Sequence, residues 1–271
     1  LKDCASIFVM PLHYLFNLIL KSSSFPQIWK EAFVTPVFKK GDPAHIDKYR
    51  PICILCNFSK IFESVIHKRI FFSVKSFITP FQHGFVERRS TITNLSCFSQ
   101  YVSEPLDDNS QVDVIYTDFN KAFDQIDHYV LLAKLGSFGL SNSLLQLFKS
   151  YLLDRKLFVK YKNFVSDGFC PTSGVPQGSN LGPLLFLLYV NDIVDLLTCQ
   201  KLLFADDLKL FLTVNTIQDC QLLQDNLHLL SAWSEKNRLF LNINKCVVSY
   251  SRKEKTTIYG YSIDSTERPL S

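Results

Sequence analysis

The sequence predicts an α+β fold, because strand-like and helix-like segments alternate through its second half. The segment VDVIYTDF, residues 112–119, is rich in β-branched and aromatic residues and predicts a strand. In TIQDCQLLQDNLHLLSAW, Ile217, Cys220, Leu223 and Leu227 share one face of a predicted helix. From residue 110 the order is β–α–β–β–α–β–β–α–β, so we expect one sheet with helices on one face.

The first part of the chain predicts a helix, a basic hairpin and a second helix. Residues 4–20 are apolar but short for a membrane span, and we expect a buried helix there and no membrane contact. The segments AFVTPVF and YRPICIL flank the turn KKGDP, which places lysines at the tip of a hairpin. The following segment, NFSKIFESVIHKRIFFSV, has apolar residues at helical spacing.

Composition indicates a globular chain: 47% of its 271 residues are hydrophobic and 20% are charged. The net charge of +4 does not identify a nucleic-acid-binding protein by itself. Basic residues are nevertheless concentrated in the first third of the chain, at Lys39, Lys40, Lys48, Arg50, Lys60, Lys68, Arg69, Arg88 and Arg89. Such a surface is compatible with a polyanionic partner, although solvated helix faces explain it equally well.

Most of the eight cysteines lie in apolar segments, which predicts small core residues, and a reducing compartment is the expected setting. Cys53 and Cys56 form one C-x-x-C pair, but no second pair completes a zinc site.

Asp206 and Asp207 lie side by side between two apolar segments that predict strands. A simple hairpin turn is one interpretation, although the preferred two-residue turns contain a glycine and this one does not. Two close carboxylates raise each other's pKa unless a cation neutralises them. Carboxylate oxygens clustered in this way suit Mg²⁺.

Asp118 is the third acidic candidate, at the end of the strand VDVIYTDF. An aspartate at this place is commonly a turn or helix-cap residue. Asp124, Asp127 and His128 follow and fit the first turns of a helix. If the strands of Asp118 and Asp206 are neighbours, three carboxylates converge and could hold two Mg²⁺ ions for phosphoryl transfer.

Five segments, in this order, resemble motifs of the reverse transcriptase domain of non-LTR (LINE-like) retrotransposons. They are WKEAFVTPVFKKGDPAHIDKYRPICIL, VIYTDFNKAFDQIDH, GVPQGSNLGPLLFLLYVNDI, LFADDLKLF and LFLNINKC. The resemblance implies a right-hand polymerase with fingers in residues 1–110 and a palm in 111–271, and with the thumb absent or truncated. It implies an RNA-directed DNA polymerase that joins dNTPs to a DNA primer on an RNA template.

By this resemblance, Asp118, Asp206 and Asp207 are catalytic residues that ligate two Mg²⁺ ions, or Mn²⁺, together with the carbonyl of Phe119. Lys245 is the family's candidate proton donor to pyrophosphate, and a surface lysine is the competing interpretation. By its position in the motif, Phe123 resembles a steric gate that excludes the 2′-hydroxyl, whereas residue type alone, in a chain with 24 phenylalanines, favours a core residue.

The resemblance also assigns nucleotide-binding residues. Gln177 and Gly178 would pack against the incoming nucleotide, whereas a plain loop glycine is the alternative. Lys39 and Arg50 would contact the triphosphate, the alternative being a solvated charged turn.

We also expect the full polyprotein to carry an endonuclease and a thumb, and to act inside the cell, in nucleus and cytoplasm. The 271 residues alone are expected to extend a primer weakly. A catalytically inactive remnant, or a nucleic-acid-binding module, is the alternative function, and an RNA-templated RNA polymerase is a weaker third.

Overall fold

The computed structural model describes residues 5–251 and 257–263. The chain forms two compact units, the first of residues 1–75 and 128–185, the second of residues 76–127 and 186–271. Each unit therefore combines two separate stretches of chain. The predicted division into fingers (1–110) and palm (111–271) is sequential and stays a prediction.

The elements follow the predicted order closely. They are α1 (Ala5–Ser22), β1 (Glu31–Phe38), β2 (Tyr49–Ile54), α2 (Asn57–Val74), α3 (Thr91–Asp107), β3 (Gln111–Thr117), α4 (His128–Ser137), α5 (Asn142–Leu152), β4 (Lys156–Tyr161), β5 (Phe164–Val165), α6 (Gly182–Val190), α7 (Ile193–Leu196), β6 (Gln200–Phe204), β7 (Asp207–Val214), α8 (Ile217–Lys236) and β8 (Val247–Ser251). The mixture of helices and largely antiparallel sheets confirms the predicted α+β class.

The first unit contains a four-stranded sheet in the order β2-β1-β4-β5. The basic hairpin forms as predicted, with β1 and β2 antiparallel from the pair Phe33 and Ile54 to the pair Phe38 and Tyr49. β1 also pairs in parallel with β4, beginning with Glu31 opposite Lys156. The expectation of one sheet after residue 110 is therefore wrong. The local sequence pattern of β4 and β5 does not record a parallel partner so distant in the chain.

The second unit contains the sheet β6-β7-β3-β8, in which β3 is antiparallel to both β7 and β8. On one face, Phe98, Tyr101 and Val102 of α3 pack against a cluster that includes Val112 and Val114. α8 packs against β7. Helix α8 begins with a capping box between Thr216 and Asp219. α3 and α8 both pack on strands that carry the candidate aspartates at their ends.

Helix α1 corrects the prediction of a buried helix at residues 4–20. Only Ile19 is buried among its described residues, whereas Ile7, Met10 and Tyr14 are each more than 70% exposed. Phe16 does contact the first unit, edge-on to Phe62 at a centroid distance of 5.1 Å. Apolar residues surround α1 on several sides, and one contact face covers only one stripe of them. By length and composition, α1 is the one described helix that could cross a membrane, a test that core helices and signal sequences also pass.

The strand β8 begins at Val247, after a 3₁₀ turn at residues 243–245. One smaller expectation also changes. Asp124 and Asp127 precede α4 and do not lie in its first turns, since the helix begins at His128. Asp127 accepts an ion-pair hydrogen bond from Arg238 at 2.8 Å.

Candidate active site

The register of β3 and β7 places Asp118 beside the turn that carries Asp206 and Asp207. Thr117, the last residue of β3, pairs with Leu208. Asp118 follows Thr117 and Asp207 precedes Leu208, so both lie at the same end of the same strand pair. Directly opposite residues of an antiparallel pair have Cβ atoms about 5 Å apart. Residues distant in sequence thus meet at one edge of the sheet.

The turn between β6 and β7 has two residues, Ala205 and Asp206, because Phe204 pairs with Asp207. Ala205 has a φ of +56°, in the left-handed region that such turns need and that glycine normally supplies. The predicted hairpin therefore forms without a glycine, and alanine carries the unfavourable conformation.

Lys245 reaches Asp118 because the backbone before Lys245 follows the backbone after β3. Phe119 forms an isolated antiparallel bridge with Leu241, and the Asn242 N–H donates to the Asp118 carbonyl at 2.7 Å. The Lys245 ammonium donates to Oδ2 of Asp118. The side chain of Lys245 is 54% exposed and that of Asp118 is 20% exposed. The side chain of Phe119 is buried and tilts against Trp233.

The acidic residues fit a divalent cation in chemical type and in strand position. Across residues 5–251 and 257–263, however, no three His, Cys, Asp or Glu side chains converge closely enough to hold a metal. A cation, the Lys245 ammonium, already contacts the Asp118 carboxylate. A bound metal would therefore share or take over this carboxylate from Lys245.

Phe123 lies half-buried between two aromatic rings. Its ring stacks on Phe186, with centroids 4.8 Å apart and planes at 16°. Phe85 contacts it edge-on at 6.0 Å. The ring is fixed by neighbours on two sides while part of it remains accessible, which suits either a gate or a packing residue.

In the first unit, the loop with Gln177 and Gly178 lies along β2. The Cys53 N–H donates to the Gln177 carbonyl at 2.8 Å. Gly178 has a φ of +104°, and a Cβ there would lie 3.0 Å from the Cys53 carbonyl oxygen. Glycine is thus needed for both the conformation and the close approach.

Glu63 anchors the continuation of this loop and was not identified from the sequence. The side chain is fully buried, accepts from Ser59 Oγ at 2.8 Å and accepts from the Asn180 N–H at 2.9 Å. A longer bond of 3.4 Å comes from the Leu181 N–H. Burial raises the pKa of Glu63, and these hydrogen bonds partly oppose the shift. Glu63 lies in a segment that also carries basic residues, and this local pattern does not indicate its burial.

Lys39 and Arg50 lie at the loop end of the β1–β2 hairpin and both are exposed. The Lys39 N–H donates to the Lys48 carbonyl at 2.9 Å, and Arg50 pairs with Val37 in the strand register. Exposed cations on such a loop could meet an anionic ligand. Lys39, Arg50, Gln177 and Gly178 belong to the first unit, whereas Asp118, Phe123, Asp206, Asp207 and Lys245 belong to the second.

The fold defines the class of this protein as an α+β fold of the fingers-and-palm type. Apo telomerase from Candida tropicalis, truncated from its C-terminal domain, superimposes with a TM-score of 0.64 at 14% identity, covering 89% of this chain and 55% of the telomerase chain. At this identity, the likeness concerns the fold alone.

The sequence then places the chain within that class. The family Reverse transcriptase (RNA-dependent DNA polymerase) matches residues 37–263, and the chain belongs to this family. It is 32% identical over 245 residues to the RNA-directed DNA polymerase from mobile element jockey of Drosophila funebris, covering 86% of the chain and 26% of that relative. It is 29% identical to the probable RNA-directed DNA polymerase from transposon BS of Drosophila melanogaster, covering 88% of the chain and 28% of the relative.

These matches confirm the predicted relationship to polymerases of non-LTR retrotransposons. The chain spans little more than a quarter of the length of these curated relatives.

Proposed function

We propose that this chain is the catalytic core of an RNA-directed DNA polymerase, which adds dNTPs to a primer 3′-hydroxyl on an RNA template. The observation that carries the proposal is the strand register that brings Asp118 to the end of β7 where Asp206 and Asp207 lie. Family membership supports the same activity, since the relatives are named as RNA-directed DNA polymerases.

Asp118, Asp206 and Asp207 would hold two divalent ions, Mg²⁺ or Mn²⁺, with the carbonyl of Phe119 as a further ligand. Such ions, when bound, supply charge neutralisation and a lowered hydroxyl pKa for in-line phosphoryl transfer. Lys245, released from Asp118, would donate a proton to the pyrophosphate that leaves. The Lys245 ammonium lies close to the proposed metal ligands, because it forms an ion pair with Asp118.

The other residues would bind and select the nucleotide. The ring of Phe123, held by Phe85 and Phe186, would exclude a 2′-hydroxyl. Lys39 and Arg50 would contact the triphosphate, where the forked guanidinium suits phosphate oxygens. Gln177 and Gly178 would pack against the base pair formed by the nucleotide and the template.

Base pairing supplies the sequence information, so template and primer would be held mainly through their phosphates. In the longer polyprotein, a thumb and an endonuclease would complete the machinery, which would act inside the cell, in nucleus and cytoplasm.

Single-nucleotide incorporation on a poly(rA)/oligo(dT) template–primer with Mg²⁺ tests the proposal. We expect the wild type to incorporate dTTP. In Asp206→Asn the incorporation rate should fall about 100-fold or more, as when one group that stabilises a transferring phosphoryl is removed. Asp195→Asn makes the same change at an exposed carboxylate in α7 and should leave the rate unchanged. Equal behaviour of wild type and Asp206→Asn would favour a non-catalytic remnant, and preference for UTP an RNA polymerase.

A further inference from the structure

We infer that Gln82 is a positioning residue for the candidate active site: its buried amide holds Ala205 and thereby orients the aspartates that follow. The inference rests on the proposed function, because it concerns the turn between β6 and β7 that carries Asp206 beside Asp207, here called the acidic turn. Gln82 lies in the segment FQHG, between α2 and α3, which carries no recognised role in the sequence patterns above.

Gln82 makes hydrogen bonds to both backbone polar groups of Ala205. Its Nε2 donates to the Ala205 carbonyl at 3.2 Å, and its Oε1 accepts from the Ala205 N–H at 2.9 Å. The same Oε1 accepts from the Gly84 N–H at 2.7 Å. The side chain is only 2% exposed, so water does not compete for these bonds.

Ala205 needs such support because of its backbone conformation. Its φ of +56° is disfavoured for a residue with a side chain, and persists only where the surroundings impose it. Ala205 directly precedes Asp206 and Asp207, so its dihedral angles set the direction in which the acidic turn leaves β6. Hydrogen bonds from the Gln82 amide to both the N–H and the carbonyl of Ala205 hold Ala205 in this conformation.

Backbone hydrogen bonds on both sides of Gln82 also hold this segment against β6. The His83 N–H donates to the Leu203 carbonyl, and the Leu203 N–H donates to the Phe81 carbonyl, each at 2.9 Å. A Cβ at Gly84 would lie 2.2 Å from the Ala205 nitrogen, so only glycine allows this approach. The segment 81–84 thus lies along the end of β6 at backbone contact distance.

Phe85, the next residue, contacts Phe123 edge-on at 6.0 Å. One short segment therefore touches both the acidic turn and the proposed sugar gate. We expect its disturbance to alter metal binding first, because the Gln82 bonds end on the residue beside Asp206.

Gln82→Met tests the inference, since it keeps the length of the side chain and removes all three hydrogen bonds. Mn²⁺ affinity is measured by electron paramagnetic resonance, and amide exchange of residues 204–208 by mass spectrometry. We expect the Mn²⁺ dissociation constant to rise about tenfold or more, as when residues supporting metal ligands are changed. Exchange of residues 204–208 should accelerate.

Asn94→Leu is the matched control. Asn94 is also a buried amide, 4% exposed, and its Nδ2 donates to the Leu203 carbonyl at 3.1 Å without touching Ala205. It should lose thermal stability comparable to Gln82→Met and keep the parental Mn²⁺ affinity. Equal losses of Mn²⁺ affinity in the two variants would overturn the inference, because a general loosening of β6 would then explain both.

Gln82→Glu provides a second variant, because it keeps an acceptor for the Ala205 and Gly84 N–H groups, and its ionised carboxylate opposes the Ala205 carbonyl where the amide donor stood. Its amide exchange at 204–208 should exceed that of the wild type, and parental exchange in both variants would refute the proposed role of Gln82. If Mn²⁺ binding by the wild type does not depend on Asp206, the proposed function fails, whereas the exchange data still decide whether Gln82 holds Ala205.

Discussion

At the residue scale, the ion pair between Asp118 and Lys245 places a cation on a carboxylate that is proposed to ligate a metal. The Lys245 side chain is 54% exposed and that of Asp118 is 20% exposed, so water screens the lysine end of the pair, which should contribute on the order of 1 kcal/mol to folding. A divalent cation can therefore replace the ammonium at small cost. Lys245 would then be free to turn toward the departing pyrophosphate.

Phe123→Ala should weaken the discrimination between deoxynucleotides and ribonucleotides. Without the ring, nothing at this position would collide with the 2′-hydroxyl, so we expect the ratio of kcat/KM for dTTP over UTP to fall. The variant should also lose about 1–3 kcal/mol of stability, because the half-buried ring packs on Phe186.

Phe98→Ala is the control for packing alone. Phe98 contacts Phe211 edge-on at 5.2 Å and is likewise partly buried. It should lose comparable stability and keep the parental sugar preference. Parental preference in Phe123→Ala as well would identify Phe123 as a packing residue.

At the scale of elements, the loop with Gln177 and Gly178 depends on a side chain of helix α2. Glu63 of α2 accepts from two successive loop N–H groups, at Asn180 and Leu181, just before α6 begins. These donors are among those that a helix start leaves without an intrahelical partner. A buried carboxylate from another element satisfies them and holds the loop against α2.

Glu63→Ala should therefore cost about 3 kcal/mol in the free energy of unfolding, because it leaves buried donors unpaired. Ser59→Ala removes only one hydrogen bond to Glu63 and should cost about 1 kcal/mol. Chemical denaturation measures both, and amide exchange of residues 179–181 should accelerate in Glu63→Ala alone. Unchanged exchange there would show that Glu63 does not support the loop.

Asp113 of β3 makes stability depend on pH. Its buried carboxylate accepts from Tyr261 at 2.6 Å and from Gln111 at 2.6 Å, and burial raises its pKa above the ordinary value of 3.8. The neighbouring Tyr261 and Cys220 have raised pKa values too and stay neutral in this range. The folded state thus binds more protons than the unfolded state just above pH 3.8, so stability falls as pH rises through the raised pKa.

Thermal melts of wild type and Asp113→Asn between pH 4 and 7 measure this effect. We expect the melting temperature of the wild type to fall, relative to that of the variant, as the pH rises. A wild-type curve parallel to that of Asp113→Asn would contradict the assignment of a raised pKa.

The sequence predicts the helices and strands better than the way in which they pair and pack. The helical spacing of α2 and α8 and the Gly-Asp-Pro turn between β1 and β2 are local signals, and the structure contains all three elements. The parallel pairing of β1 with β4 and the exposure of α1 depend on distant contacts, which local periodicity does not encode. The side chains of Gln82 and Glu63 bind backbone groups of segments distant in the sequence, and a local pattern does not indicate such contacts.

At the scale of the whole molecule, the chain carries a net charge of +4, and it has exposed cations such as Lys39, Lys40 and Arg50 as well as the aspartates proposed to bind metal. The proposed polymerase activity needs both, because phosphates must be attracted while carboxylates hold the metal. Affinity for a nucleic-acid duplex that comes from phosphate contacts depends on displaced counterions.

Binding of a poly(rA)/oligo(dT) duplex should therefore weaken steeply with salt. We expect the dissociation constant to rise at least about tenfold between 50 and 200 mM KCl, in line with a few phosphate contacts. Fluorescence anisotropy of a labelled primer measures it, and Arg50→Gln should lower the slope. A dissociation constant independent of salt would argue against recognition through phosphates.

The most direct test is the number of Mn²⁺ ions bound per chain in the presence of dTTP, measured by electron paramagnetic resonance in wild type, Asp118→Asn and Asp206→Asn. We expect two ions in the wild type and a loss of affinity of about tenfold or more in each variant, since both residues would ligate the same pair of ions. Mn²⁺ binding that is identical in all three proteins would contradict a shared metal site at the meeting point of β3 and β7.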